Sequence, residues 1–424
     1  MVFKRLSVVA ASLAIGLSAC GTPQVEPEQP ARLPAAETAL PLPAASAPAA
    51  SLTAGQAEFG IDLYREIGAR PGNVFLSPAS ISTALAMVYG GAEGQTAQEM
   101  AQALRYPAGS GFHEGTGALL RQLPIDQEGR VVRIANALWV QKDFALRPAF
   151  SSLVKRHYDG AATPVDFVGA PEQAIATVNS WAEQKTAGRI KSLLKRENIT
   201  VDTRLILTNS VYFKGDWLRP FKPERTGQRP FMLPGGRSVP ATFMSQRGRF
   251  RVLRQPDFQA LEAPYKGEEL SMILFVPESA DGLAAFERGL TGEKLNGWIA
   301  ALMAEQPGDV LFTLPKLQLE TKASLVPVLK TLGMRRAFTD SAQFGGIASI
   351  PLRVSDVLHQ TFLLVDEKGT EAAAVTGVIM EQVSRPMEFS ADRPFFFAIR
   401  DNRSGAILFM GRISDPATMN RPGA

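Results

Sequence analysis

The sequence predicts an α+β fold in which large sheets are flanked by helices, and three observations carry that reading. Helical periodicity dominates the early part of the chain, whereas β-branched and aromatic runs dominate the later part. No segment repeats at a period of about 20 to 50 residues, which sets aside solenoids and propellers. At 424 residues and 45% apolar, the chain can bury a large core in one or two domains.

The first helix is read from Gln56 to Ala69, where Phe59, Leu63 and Ile67 recur at i, i+4 and i+8 as one apolar stripe. A second starts after Ser77, which suits the N-cap, with Pro78 in the first helical position, where a missing N–H costs no intrahelical bond. Gly90 and Gly91 end it. Further helices are read from Gln95 to Leu104, from Glu172 to about Thr186 before Gly188, and from Lys322 to Leu332 with Gly333 as the C-terminal cap. Strands are read from Val131 to Val140, Leu205 to Phe213, Leu270 to Val276 and Val310 to Leu314. Phe395 to Ile399 joins Ala406 to Met410 through the turn Asp401, Asn402, Arg403, Ser404, Gly405, a hairpin.

Ahead of these elements lies a targeting segment. Lys4 and Arg5 precede an apolar run from Leu6 to Leu17, too short to span a bilayer comfortably, and small residues lead into Cys20. Leu17, Ser18, Ala19, Cys20 and Gly21 resemble the lipobox of bacterial lipoproteins, which implies a signal peptide over residues 1–19 and acylation of Cys20 as the mature N-terminus. Gly21 differs from the aspartate associated with inner-membrane retention, so an exported, lipid-anchored protein of the cell envelope is expected, at the outer membrane or cell surface in a Gram-negative host. Residues 20–54 then form a Pro- and Ala-rich linker, with the tether composition running from Thr22 to about Ser51. Fully extended at about 3.1 Å per residue, it spans up to roughly 90 Å. The folded body is placed at 55–418 and a short tail at 419–424.

Composition and motifs exclude several kinds of chemistry. The formal net charge is +4 with 20% charged residues, and no long basic run calls for nucleic acid. Arg247, Arg249, Arg251 and Arg254 suit the solvated face of a strand. Cys20 is the one cysteine, which precludes an intramolecular disulfide and leaves no thiol nucleophile in the body. His113, His157 and His359 are the three histidines, none at metal-ligand spacing from another ligand type; His113 with Glu114 fails the HExxH zinc pattern because Gly117 stands in the second histidine's place. There is no GxSxG elbow and no phosphate-binding loop, and Gly90, Gly91 and Gly94 do not form a dinucleotide fingerprint. No enzyme activity, metal or cofactor is expected. His359 lies in an otherwise apolar stretch, Val354 to Phe362, as a core histidine held by hydrogen bonds.

Collinear segments from about Ala57 to Pro416 resemble the serpin family. They are NVFLSPASISTALAMVYGGAEGQT (73–96), RIANALWVQKDF (133–144), VNSWAEQKTAGRIKSLL (178–194), LTNSVYFKGDW (207–217), LPKLQLET (314–321), VSDVLHQTFLLVDEKGTEAAAVT (354–376) and RPFFFAIRDNRSGAILFMGRISDP (393–416). The resemblance implies a serpin fold of one domain, with three β-sheets, about nine helices and an exposed reactive-centre loop near the C-terminus, and it implies the family's strain-releasing switch, insertion of that loop into the central sheet.

The residues of the loop permit such a move. Thr370, Ala372, Ala374, Thr376, Val378 and Met380 share one face of an extended chain and are all small or apolar, whereas Glu371 and Glu381 fall on the other face with Ala373, Val375, Gly377 and Ile379. The segment Glu367, Lys368, Gly369, Thr370, Glu371, Ala372, Ala373, Ala374, continuing through Val375 and Thr376, resembles the hinge of inhibitory members. The resemblance also assigns Ser77, Ser80, Asn209 and His359 to a polar network where the central sheet opens. It sets Trp217 and Glu367 where the loop enters, with Lys316 positioned to pair with Glu367; Ser210 replaces a commoner Ala.

By the family's spacing, sixteen positions after Glu367, the cleaved bond is Val383–Ser384, with Met380 and Gln382 as the nearest alternatives. Val383 suits the apolar specificity pocket of an elastase-like or subtilisin-like serine protease, and Pro386 protects the bond after Arg385 from trypsin-like enzymes. The expectation is a monomeric suicide-substrate inhibitor that forms a covalent 1:1 complex with a serine endopeptidase. Its alternatives are a non-inhibitory surface binding protein of the same fold and an inhibitor of cysteine proteases. Phe112 to Leu123 carries only Arg121, so no glycosaminoglycan partner is expected.

Overall fold

A computed structural model describes residues 47–109, 111–158, 161–370 and 385–419. Nine α-helices occur among them: α1 (Ala47–Ile67), α2 (Pro78–Tyr89), α3 (Gly94–Ala103), α4 (Phe112–Gln122), α5 (Pro148–Tyr158), α6 (Pro171–Lys185), α7 (Leu283–Gly289), α8 (Gly292–Ala304) and α9 (Val326–Thr331). The strands of the first half are β1 (Val74–Leu76), β2 (Ile125–Gln127), β3 (Arg130–Gln141), β4 (Ala161–Val165), β5 (Leu205–Asp216), β6 (Gly227–Met232), β7 (Ser238–Arg254) and β8 (Phe258–Pro264). Those of the second half are β9 (Leu270–Pro277), β10 (Gly308–Pro315), β11 (Leu317–Ser324), β12 (Asp356–Val365), β13 (Gly369–Thr370), β14 (Met387–Ser390), β15 (Phe395–Asp401) and β16 (Ile407–Ile413).

The central sheet runs β11-β12-β5-β3-β2, with β4 paired to β3 and β13 to β5. Two further sheets share β7, whose length lets its first part pair with β6 and β10 and its last turn toward β8. From there the order continues β8-β9-β15-β16-β1, while β10 pairs with β14 on the other side. The expected α+β class and three-sheet architecture are therefore present. Alternation along β5 sorts its side chains: Leu205 and Leu207 join one core with α1, α2 and α8, Val211 and Phe213 join the core between the sheets, and Ile206 meets α6 on the outer face.

Four readings change. α1 begins at Ala47, ahead of Gln56, and Leu52 and Thr53, counted with the linker over 20–54, are buried; the Ala-rich segment is a good helix former, and Leu52 seats against Gly115 of α4. At the other end Met419, counted with the tail, packs against the core between the sheets. Lys322 begins no helix: it lies in β11 opposite Gln360, because hydrogen bonding to β12 holds the chain extended as far as Ser324, and α9 starts only at Val326. Gly333, at φ 105°, does reverse the chain after that helix. Ser77 has the extended backbone of an N-cap, but its hydroxyl donates to the Leu408 carbonyl at 2.6 Å and leaves α2 without a side-chain cap.

The arginine-rich stretch lies on β7 as read. Arg247 pairs with Asp309 at 2.6 Å, Arg251 with Glu262 at 2.8 Å, and Arg249 donates to the Pro307 carbonyl at 2.7 Å.

Candidate functional site

Parallel pairing between β5 and β12 is confined to residues 206–211 against 356–361. Beyond Val211 and Thr361 no pairing joins the two strands, and β13 enters on the β5 side, its Gly369 opposite Asp216 and Thr370 opposite Gly215, antiparallel to β5. The hinge therefore already forms the first rung of a strand between β5 and β12.

A tight turn makes that reversal. The Asp366 N–H donates to the Gly369 carbonyl at 2.7 Å, the Gly369 N–H returns to the Asp366 carbonyl at 3.2 Å, and the Asp366 carboxylate accepts from the Lys368 N–H at 3.0 Å. Gly369 is required here: its φ is 150°, and a Cβ would lie 2.1 Å from the Gly215 carbonyl oxygen. Trp217 and Phe221 hold the turn from outside. The Trp217 N–H donates to the Lys368 carbonyl at 2.8 Å, its indole to the Asp366 carbonyl at 3.1 Å, and the Phe221 N–H to the Glu367 carbonyl at 2.7 Å. The indole itself stacks on Tyr265, centroids 4.5 Å apart. Lys316 Nζ sits 2.8 Å from Glu367 Oε1. Burial, the largest single influence, works against ionisation of Glu367, but the Lys316 ammonium together with hydrogen bonds from the backbone and from Thr226 outweighs it and holds the carboxyl below its ordinary value.

Lower in the seam lies the polar network. His359 Nδ1–H donates to Asn209 Oδ1 at 2.6 Å, and the Asn209 amide donates in turn to Ser80 Oγ and, at 2.5 Å, to Asn136 Oδ1. Asn136 Nδ2 reaches Thr83 Oγ1 at 3.3 Å, and that hydroxyl donates back to the α2 carbonyls of Ala79 and Ser80. One chain of bonds thus ties β12, β5 and β3 to α2. His359 is fully buried, and that burial lowers its imidazole to about 3, so it is neutral. Along the same seam Ser210 Oγ, His359 Nε2, Gln360 Oε1 and Thr361 Oγ1 are buried without a hydrogen-bond partner among the described residues. A buried polar atom that stays unpaired costs about 1–3 kcal/mol.

Of the sequence-assigned control residues, Ser80, Asn209 and His359 converge, and Trp217, Lys316 and Glu367 form the second cluster at the hinge. Ser77 is the correction: its hydroxyl serves β16 instead. Asn136 and Thr83 were missed. Asn136 faces Asn209 directly across β3 and β5, and its signal is an amide inside the apolar run of β3; Thr83 follows Ser80 by one helical turn. The hinge residues Glu371, Ala372, Ala373, Ala374, Val375 and Thr376, the bond Val383–Ser384, and Cys20 lie outside the described residues.

Two predictions follow from the network. The unfolded chain protonates His359 near pH 6.5, whereas the folded state keeps it neutral down to about pH 3. The unfolded state therefore binds more protons in that window; stability is intact above about pH 6.5 and falls as pH drops, by about 2 kcal/mol from this group at pH 5. Thermal melts at about pH 7.5 and about pH 5 should show a larger drop in Tm for wild type than for His359→Gln. Asn136→Ala, which strips Asn209 of an acceptor, should cost about 1–3 kcal/mol, and Ser77→Ala only about 1. Denaturant unfolding of the two variants checks the order.

The comparisons agree with this geometry. The family model described as serpin (serine protease inhibitor) matches residues 54–416. An uncharacterised serpin-like protein of Thermococcus kodakarensis is 40% identical over 84% of this chain and 84% of its own. The leukocyte elastase inhibitor of Xenopus tropicalis is 37% identical over 86% of this chain and 100% of its own. Uncleaved ovalbumin superposes with a TM-score of 0.78 at 29% identity, covering 86% of this chain and 100% of that one. With the hinge, the seam and the family model in accord over the folded body, the chain belongs to the serpin family.

Proposed function

We propose that this serpin is a suicide-substrate inhibitor of serine endopeptidases, reacting as a substrate rather than a catalyst, and that it traps the acyl-enzyme by drawing the loop after Thr370 between β5 and β12. One observation carries the reading: three registers agree. Gly369 and Thr370 already pair with Asp216 and Gly215, Asp366 pairs with Gly369 across the turn, and His359 lies opposite Asn209 in the parallel seam. Continued one residue for one residue, the first two registers would bring Thr376 opposite Asn209 on one side and His359 on the other. The relative register of β5 and β12 is the same in the closed sheet, so insertion would need the strands to part sideways without sliding.

The side chains suit that register. Ala372 would fall between Phe213 and Leu363, a small side chain beside two large ones, and Val378 between Leu207 and Val357. Met380 would reach Leu205, the first residue of β5. Thr376 would offer a hydroxyl where the His359–Asn209 bond must break, which limits the cost of losing a buried hydrogen bond. About a dozen new backbone hydrogen bonds at about 1 kcal/mol each supply a driving force on the order of 10 kcal/mol. The reading of Val383–Ser384 as the cleaved bond and of an elastase-like or subtilisin-like target rests on the family spacing and on the apolar Val383. The relative named as a leukocyte elastase inhibitor is in keeping with it. We further propose that Cys20 is acylated and anchors the chain to the cell envelope, and that the free inhibitor is monomeric.

Incubation with an elastase should give a 1:1 complex that survives denaturing electrophoresis, and trypsin should give none. Absence of a complex with every elastase-like and subtilisin-like enzyme tried would overturn the reading. Thr370→Arg places an unpaired charge at the first rung of the inner face, and the variant should be cut as an ordinary substrate. Metabolic labelling with a lipid precursor should mark wild type and leave Cys20→Ala unmarked; equal signals would remove the anchor.

A further inference from the structure

The outer face of β5 carries charge only at its two ends. Its outward positions read Asp216, Lys214, Tyr212, Ser210, Thr208 and Ile206, with Arg204 immediately before the strand; Tyr212, Ser210, Thr208 and Ile206 are buried, whereas Asp216, Lys214 and Arg204 are half-buried. Neither cation has a carboxylate within ion-pair distance among the described residues. The Arg204 guanidinium instead bonds carbonyls of its own segment, Val201 at 2.8 Å and Thr203 at 3.0 Å, and lies over the Phe144 ring. Lys214 has Asp216 two positions along the strand, with Lys266 and Lys368 also acting on that carboxylate.

The chain's own acidic residues match this spacing. Between Thr370 and Gln382 the sequence has two acidic side chains, Glu371 and Glu381, and both fall on the outward face of the alternation. In the register set by Gly369 with Asp216 and Thr370 with Gly215, Glu371 comes opposite Lys214 and Glu381 opposite Arg204. The uncharged outward residues Ala373, Val375, Gly377 and Ile379 come opposite Tyr212, Ser210, Thr208 and Ile206. A slip by one residue would turn the inner face outward, and a slip by two would place a glutamate against Tyr212.

Resting on the insertion mechanism proposed above, we infer that Lys214 and Arg204 are a two-point acceptor for the inserting strand, pairing with Glu371 at entry and with Glu381 at completion. The two pairs act at different times. Glu371 is the residue immediately after Thr370, so its pairing with Lys214 forms while insertion competes with deacylation and sets how much inhibitor is lost as cleaved product. Glu381 arrives last, two positions before the acylated Val383, so its pairing with Arg204 governs how long the trapped complex persists. Opposite charges directly across neighbouring strands attract, and reversing one replaces attraction with repulsion.

The test is a pair of charge-swap cycles read with an elastase that the wild type traps. Lys214→Glu and Glu371→Lys should each raise the fraction of inhibitor turned over as substrate, by about two- to fivefold, and the double swap should recover most of the loss. Arg204→Glu and Glu381→Lys should instead shorten the lifetime of the trapped complex by a similar factor, with a smaller effect on partitioning, again recovered by their double swap. Double swaps no better than the worse single variant would overturn the inference while leaving loop insertion standing. So would the opposite assignment, with the Arg204 pair controlling partitioning. A wild type that every protease merely cleaves, with no trapped complex, would overturn both the insertion mechanism and the acceptor built on it.

Discussion

The parallel seam between β5 and β12 is the constraint on which the rest of the molecule depends. Parallel neighbours in a sheet require a long crossover between them, and here the turn after β12 sends the chain back antiparallel at the top of the gap instead of away from it. A strand continuing from that turn would be antiparallel to both neighbours, a better arrangement than the parallel pairing it replaces. The closed seam spans residues 206–211 and 356–361, with buried polar atoms left unpaired beside it among the described residues. It is held shut by few backbone bonds and by the His359–Asn209 hydrogen bond, which connects through Asn136 and Ser80 to α2.

The hinge is held as firmly as the seam is loosely held. Trp217 takes two carbonyls of the turn, Phe221 a third, and the Lys316–Glu367 pair fixes the side chain between them. Gly369 meets the backbone of Gly215 too closely to admit a Cβ. Under the proposed insertion, the start of the new strand would be set in place before any bond is cut, and the fold itself would lower the cost of nucleating it. What the loop contributes is a face of small side chains ahead of the two larger ones, Val378 and Met380.

Much of this was legible in the sequence because alternation is a local property. The period-two pattern of residues 370–380 predicts an inward face without coordinates; residues 371–384 lie outside those described, and of the hinge only Gly369 and Thr370 are seen in register with β5. β3, β5, β9, β10 and the β15–β16 hairpin were readable from a different local signal, β-branched and aromatic runs bounded by turn residues. The failures were non-local. Ser77 looked like a cap because its neighbours are helical, and nothing nearby announces that the Leu408 carbonyl, far along the chain, takes its proton. Lys322 to Leu332 has helical residues, but β12 holds the first of them in a ladder. Asn136 acquires its role only because β3 and β5 bring it opposite Asn209, a pairing no window of sequence contains.

A closed sheet that is a resting state relieved by its own loop must gain stability when that loop is cut. Thermal unfolding of the intact chain and of the chain nicked within residues 371–384 should differ. The account predicts that the nicked chain melts higher by more than about 10 °C, since the released strand completes the central sheet. A nicked chain that melts at the same temperature or lower, as when an ordinary surface loop is cut, would contradict it.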